Sequence, residues 1–572
     1  MKPRAFPVLA ASFLLAVSCG GGGSGGSASG AAFADDVRVF AVNDLGMHCV
    51  DREFSVFSLL PPYNVVHAEV LRRRAAGLPS LIHGAKIRLT YDAVADARGS
   101  INSTSRLKTD FWAWAPLLFG VALPPGQGLA GLYMPADAPV PGPQTIAYDA
   151  VKRFYSADGI PIVPTDDALA ENSYPLLRIG AAYAPTGAAL AHLDIVVPVS
   201  SETDCKTCHE TGEIGADDAG IAWSANADPE VRAKENVLIL HDDRQGTALM
   251  ASQPVLCASC HYSRALDLAG AGPQGSQIGK PEMSAAMHEY HGRLRDDSGA
   301  RVFPVRGPVE ATCYLCHPGL VTQCYRGAMK TGGVDCLDCH GNMLSVGGAF
   351  PLLAGGSMDG LNDGAPRRPW FDLPRCQSCH TGDVLNRIAD ATVFLSGDGI
   401  RLARAFRRGD KAASPILASN PRFAENAGTP YRLSRGHGGL LCQSCHGSTH
   451  AEWPNADAAH NDNVAAISLQ GHSGPIIECG TCHGGGSLLL TTAGPHGLHN
   501  VNDLRWVDHQ HSGFYELEAD KCRACHGANL EGTVLSRAAA DRTYRVEGRD
   551  VLLPKGTRIG CTHCHEAPGE DD

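Results

Sequence analysis

Hydrophobic and polar positions fall into two regimes along the chain. Val37–Val42, Lys86–Tyr91 and Leu193–Val199 are short apolar or alternating runs bounded by turn residues, the pattern of half-buried strands. Pro and Gly punctuate the intervals between them. This predicts an N-terminal β-rich, sandwich-like domain over residues 35–200. Beyond residue 200 the strand pattern fades and helical periodicity survives only in short pieces. In DPEVRAKENVLILHDDR, Asp228 suits a cap and Pro229 a first turn. Val231, Val237, Leu238 and His241 fall near one face. PEMSAAMHEYHGR predicts a second short helix, and the rest of 201–572 reads as loops. No internal apolar run reaches the roughly 18 residues of a membrane span.

Composition sharpens this picture. Aromatic residues are only 6% and charged residues 19%, while Gly (65) and Pro (36) are abundant among 572 residues. A hydrophobic share of 44% excludes a disordered polymer. Yet the scarcity of aromatics means that something other than aromatic side chains fills the interior. The formal charge of −12 disfavours a nucleic-acid partner, which requires a basic face.

The leader has its own signature. Met1-Lys2-Pro3-Arg4 is a short basic stretch followed by a short apolar one, a secretory signal over residues 1–18 rather than a spanning helix. Leu15-Ala16-Val17-Ser18-Cys19 resembles a bacterial lipoprotein cleavage site, although Leu15 stands one place further from the cysteine than usual. The resemblance implies a lipidated Cys19 and a flexible Gly/Ser tether over 19–34. An ordinary signal cut near Ala34, discarding Cys19, is the alternative. The expected location is an exported, outer-membrane lipoprotein facing the periplasm or the cell surface.

The cysteines carry the strongest pattern. C-x-x-C-H occurs nine times. The first three motifs are Cys205, Cys208 and His209; Cys257, Cys260 and His261; Cys313, Cys316 and His317. The next three are Cys336, Cys339 and His340; Cys376, Cys379 and His380; Cys442, Cys445 and His446. The last three are Cys479, Cys482 and His483; Cys522, Cys525 and His526; Cys561, Cys564 and His565. This is the attachment signal for c-type haem. Two thiols add to the vinyl groups on one porphyrin edge, and the adjacent imidazole becomes the proximal iron ligand. Zinc sites use C-x-x-C in paired knuckles, which an odd count with a histidine after each pair does not match. Nine haem c groups are therefore expected, and they would supply the missing interior. Only 23 residues separate Cys313 from Cys336, so these two motifs should give the closest sequential pair.

With these motifs, and with flanking strings such as HPGLVTQCYRGAM, CHGSTHAEWP and CHGANLEGTVLS, the chain resembles the multihaem c-type cytochromes of metal-respiring bacteria. With its leader and β-rich front it resembles their outer-surface lipoproteins. The resemblance covers 201–572 through all nine motifs and implies a loop-rich multihaem domain with short helices and little regular secondary structure.

Sixth ligands decide between a relay and an enzyme, because a haem held by two histidines has no open position for substrate. Sixteen of the 25 histidines lie outside the motifs. His241 sits on the first helix. His288 and His291, three apart on the second, suit two neighbouring haems. His437, His472 and His511 each precede a motif, in a recurring His-Gly or His-Ser context. His450 follows His446 by four residues, and His496 and His499 share one loop. These nine are the candidate distal ligands. His48, His67, His460, His509 and His563 are reserves, His83 and His192 read as ordinary surface or core residues, and Met343 is the rival axial ligand.

No C-x-x-C-K is present, so the lysine-ligated catalytic haem of multihaem nitrite reductases is not signalled; HExxH and P-loop patterns are absent too. No catalytic residue is assigned. The expected role is single-electron relay through nine haems in extracellular electron transfer. Partners would be other redox proteins or extracellular acceptors such as metal oxides and soluble metals. A multihaem reductase with one open haem and a subunit of a cytochrome filament are the alternatives. Cys49 and Cys324 remain outside the motifs and the leader; they are a candidate disulfide in an oxidising compartment, and His48 an alternative distal ligand lent by the front domain.

Overall fold

The computed structural model describes residues 37–267, 270–304, 308–348, 393–395, 401–403, 431–485, 487–507 and 510–565. The leader and the tether lie outside these residues. So does the whole fifth motif, Cys376, Cys379 and His380.

The front region is one antiparallel sheet. Its strands are β1 (Val37–Asn43), β4 (Asn64–Arg72), β6 (Ile87–Val94), β7 (Gln144–Asp149), β8 (Phe154–Ile160), β9 (Leu176–Tyr183) and β10 (Ala188–Val196), in the order β1-β4-β8-β7-β6-β9-β10. The short strand β5 (Ser80–Leu81) pairs with β4. β1 also packs against β10, at the far end of that order, so the sheet curls into a near-barrel. The three strands expected from alternation are present, but the sandwich is corrected. Two faces do not stack; one twisted sheet closes toward itself and buries a single inner face. That face carries Val39, Val66, Leu89, Tyr91, Ile146, Tyr155, Leu177 and Ile179, all nearly inaccessible. The helix Phe111–Phe119 adds Phe111, Ala115 and Leu118.

The front core does not end with the front sequence. Trp453, Ala465 and Ala466 join the same cluster, and Leu440 packs with Phe40 and Leu71 in a second one. Two small parallel pairings extend the contact. β2 (His48–Cys49) runs beside β11 (Val199–Ser200), just ahead of the first motif. β3 (Phe57–Ser58) runs beside β12 (Val255–Leu256), immediately before Cys257. At Gly46, φ is +94° and a Cβ would fall onto the Thr449 carbonyl, so only glycine allows this approach.

Regular structure beyond residue 200 is short. The longest helix there is Pro229–Gln245, where the Asp228 carboxylate accepts from the Glu230 and Val231 amides at 2.8 and 3.4 Å. Its Leu238 packs on Val56 and Phe57 of the front region. The second helix is a π-turn, Ala285–Glu289, continued by Tyr290–Arg293. No helix among the described residues is long and apolar enough to cross a membrane.

Candidate cofactor-binding sites

Each site starts from a tight turn. In five motifs the histidine amide donates to the carbonyl of the first cysteine: His209 to Cys205 (2.8 Å), His261 to Cys257 (3.0 Å), His317 to Cys313 (2.8 Å), His483 to Cys479 (2.9 Å) and His565 to Cys561 (3.1 Å). Cys336–His340 and Cys442–His446 are single α-helical turns, and Cys522–His526 ends the helix Ser512–His526. One turn brings positions i, i+3 and i+4 to one side, so both thiols and the imidazole face a common space.

The second cysteine of each motif is placed by that turn. The Cys260 amide donates to the Cys257 carbonyl at 3.2 Å, and the Ser259 hydroxyl approaches the Cys260 sulfur at 4.0 Å. Cys339 and Cys445 lie inside their helical turns, and the Cys445 carbonyl accepts from the Ile476 amide at 2.8 Å. The Cys525 carbonyl accepts from the Thr533 hydroxyl. Cys260, Cys339, Cys445 and Cys525 are all half-buried, and none is held in a disulfide. Cys379 and His380 were expected to complete a ninth site with Cys376. All three lie outside the described residues, so eight of the nine expected sites are placed.

A second histidine faces each described motif imidazole. Ring centroids are 6.4 Å apart for His209–His291, 6.4 Å for His241–His261 and 5.8 Å for His288–His317. They are 6.1 Å apart for His340–His450, 6.2 Å for His437–His483 and 5.9 Å for His446–His496. The last two pairs, His499–His526 and His511–His565, stand at 6.4 and 5.6 Å. Two imidazoles sharing one metal, each bound through nitrogen at roughly 2 Å, have ring centres about 6 Å apart. All eight spacings fall near that value, and the pairs are otherwise unrelated in sequence.

Five of these rings are held from behind through Nδ1. Nδ1 of His261 donates to the Pro281 carbonyl (2.9 Å) and Nδ1 of His526 to the Ile559 carbonyl (2.7 Å). Nδ1 of His291 donates to Met287 O (2.6 Å) and Nδ1 of His288 to Ser284 O (3.0 Å). Nδ1 of His241 lies 2.9 Å from the Thr247 hydroxyl. In this tautomer Nε2 is the lone-pair nitrogen available to a metal, the usual arrangement behind a ligating imidazole.

Electrostatics agree with neutral rings. Burial, with His291 beside it, holds His209 down to about 4. Burial and the facing His526 hold His499 down to about 4. Burial holds His450 down to about 4, and it lowers His241, His317, His483 and His526 as well. A metal binds only the deprotonated nitrogen, so these shifts favour ligation.

Two of the facing histidines stand on left-handed backbone, His450 at φ 67° and His496 at φ 55°. Such conformations cost energy in a non-glycine residue and persist where surroundings enforce them. At His450 the carbonyl accepts from the Arg326 and Gly327 amides (2.8 and 3.3 Å), and its amide donates to Glu452 (3.1 Å). Arg326 is itself held by a buried bidentate pair with Asp462, at 2.7 and 2.8 Å.

Thiols of neighbouring sites interact electrostatically. Cys313 and Cys336 are hydrogen-bonded to each other, which lowers the Cys313 thiol to about 7 and raises that of Cys336. These are the motifs separated by the shortest interval. Burial, and after it the Cys208 thiol, raises the Cys316 thiol, and burial with the Cys522 thiol raises that of Cys561. The third site thus lies within electrostatic reach of the first and the fourth, and the eighth within reach of the ninth.

One candidate does not join a motif. His472, expected among the distal ligands, faces no motif histidine among the described residues. Its Nδ1 bonds the Ser473 carbonyl (3.0 Å) and its Nε2 the Glu478 carboxylate (3.0 Å), which also takes Arg542 and Asn502. Both ring nitrogens are committed. His48 is likewise bound to Asp44 at 2.9 Å rather than lent to a motif. His67 lies in the front sheet against Phe154, His460 against Tyr174 and Asp457, and His83 stacks on Tyr148. His509 lies outside the described residues. Met343 is not needed at the fourth site, where His450 faces His340.

Sequence reasoning missed the front-region carboxylates that position the sixth motif. Glu69 of β4 accepts from Arg435 (2.7 Å), the Leu441 amide (2.9 Å) and the Ser444 hydroxyl (2.8 Å). Asp44 takes Arg432 at 3.0 Å, and its carbonyl accepts from Gln443 at 2.8 Å. A lone acidic residue in a β-strand whose neighbours are all buried is the only local signal for Glu69.

No protein-family model, curated protein or solved structure matches the chain. Among the described residues no group of three or more His, Cys, Asp or Glu gathers as a protein-only metal site.

Proposed function

We propose that this chain is an exported nonahaem c-type cytochrome, lipid-anchored at Cys19, that relays single electrons between a redox protein and an extracellular acceptor. The observation that supports it is the facing of eight motif histidines by eight second histidines at 5.6–6.4 Å. The residues fit the group that the motifs call for. Each cysteine pair would anchor a porphyrin edge, and each histidine pair would hold the iron from both sides. Haem, when bound, supplies one-electron chemistry at its iron.

The chain's own residues do the remaining work. The carbonyls behind His261, His288, His291 and His526 orient those rings and keep Nε2 as the ligating nitrogen. Burial keeps the imidazoles neutral and limits water. A site closed on both sides offers no position for a substrate, so the reading is a carrier rather than a converting enzyme. The electrostatic proximity of Cys313 to Cys336, of Cys208 to Cys316 and of Cys522 to Cys561 favours short steps between the haems that these cysteines would hold. The net charge of −12 favours partners with basic patches and cationic metal species.

A second reading rests on His472. Its ring is bound to Glu478 and Ser473, and it faces no motif histidine among the described residues. A haem left with one histidine would be open, and would make the chain a reductase. Alkaline-pyridine haem quantification per chain, with mass spectrometry of tryptic peptides, tests the main reading. Nine thioether-linked haems are expected; thiols left free in most motifs would overturn it.

A further inference from the structure

Cys49 and Cys324 belong to none of the nine motifs, yet the fold brings their segments together from distant parts of the chain. Cys49 ends β2 and stands opposite Ser200 of β11. The Ser200 hydroxyl lies 2.7 Å from that of Thr322, two residues before Cys324. Glu202 then clamps the same run, accepting from the Leu320, Val321 and Thr322 amides at 2.9, 2.8 and 2.7 Å. Both cysteines are half-buried and free in the structure. Burial and the nearby Cys324 thiol push the Cys49 thiol up, and burial raises that of Cys324.

We propose that Cys49 and Cys324 are a disulfide-forming pair that closes the front sheet onto the haem-bearing region. The proposal rests on the cysteine partition of the preceding reading, in which the motif thiols are consumed by haem, and on export to an oxidising compartment. The oxidant is a protein disulfide of that compartment. Two S–H bonds and the donor's S–S bond break; one S–S bond forms between Cys49 and Cys324. The two electrons and two protons end on the donor, as two thiols. Because the attacking species is a thiolate, raised thiol values make the folded pair slow to react. The disulfide's physical effect is to fix β2 against the run that ends at Cys324, which Ser200 and Glu202 already hold beside the entry to the first motif at Cys205.

A thiol census tests the proposal on the full-length exported protein. The unreduced protein is denatured, treated with iodoacetamide, digested and mapped by mass spectrometry. The expected result is one joined Cys49–Cys324 peptide pair with neither residue alkylated, and alkylation of both only after reduction. Alkylation of both without reductant would overturn the proposal. Alkylated motif cysteines would instead sink the haem reading, so the two failures are distinguishable. As a second measurement, reductant should lower the Tm of the wild-type chain by several degrees and leave the double variant Cys49→Ser with Cys324→Ser unmoved by comparison. An equal shift in both would also overturn it.

Discussion

Glu69 offers a direct test of how the front sheet positions a haem-binding motif. Its carboxylate is 2% exposed and accepts from the Arg435 guanidinium, the Leu441 amide and the Ser444 hydroxyl. Glu69→Ala leaves all three donors without this acceptor inside a packed interface. Arg435 keeps its bonds to the Gly439, Lys152 and Arg153 carbonyls, so part of its charge remains solvated. Removing one partner of a buried pair costs about 3–5 kcal/mol, and the stranded amide and hydroxyl place the expected value within that range. Unfolding entropy is on the order of 1 kcal/mol/K for a chain this long, so Tm should fall by about 3–5 °C. Glu69→Gln keeps one acceptor oxygen and should cost about half as much. The assay is thermal and denaturant unfolding followed by far-ultraviolet dichroism, with hydrogen exchange over residues 431–446. Local exchange should rise in that segment before the global transition. A loss below about 1 kcal/mol for Glu69→Ala, with unchanged exchange, would refute the argument that this carboxylate organises the sixth motif.

Four further outcomes follow from the same geometry. His291→Ala and His450→Ala should each convert one haem from low-spin to high-spin in the ferric protein, whereas His472→Ala should convert none and cost about 1–3 kcal/mol, because it strips a partner from Glu478. Asp462→Asn should destabilise by about 3–5 kcal/mol, measured by denaturant unfolding, since Arg326 is 1% exposed and loses its counter-charge. Acidification should weaken the fold in a defined window. In the chain before haem attachment His209, His450 and His499 are held down to about 4, below the ordinary imidazole value of about 6.5, so their contribution is complete above that value. It is lost as pH falls from about 6.5 toward 4, because the unfolded chain takes up protons first; unfolding titrations across that window should show the decline. Haems bound at Cys313 and Cys336 should be the most strongly coupled sequential pair, visible as spin–spin broadening that is lost when the fourth motif is removed by Cys336→Ala together with Cys339→Ala.

Much of the site was legible because its information is local. A C-x-x-C-H motif needs one turn to bring its three functional groups together, and nothing distant is required. The capped helix from Asp228 was legible for the same reason. The pairing of imidazoles was not legible, because it is long-range and crossed. His437 precedes the sixth motif but faces His483 of the seventh, while His496 faces His446 of the sixth. His288 and His291, three residues apart, face the third and first motifs. His472 shared the local context of His437 and His511, yet Glu478, fixed by Arg542 and Asn502, takes its ring. In the front region alternation located β1, β6 and β10, but alternation is blind to which strands become neighbours. The approach of β1 to β10 decides between two stacked sheets and one near-barrel. Burial of Trp453, Ala465 and Ala466 against that sheet is equally invisible locally.

Low-temperature EPR of the fully oxidised protein, with haem quantified per chain, tests the central claim most directly. Paired histidines at the described sites predict low-spin ferric signals integrating to at least eight haems per chain. The histidine spacings of 5.6–6.4 Å lead to that result. A spectrum dominated by high-spin iron, or a chain that carries no covalent haem, would contradict the account.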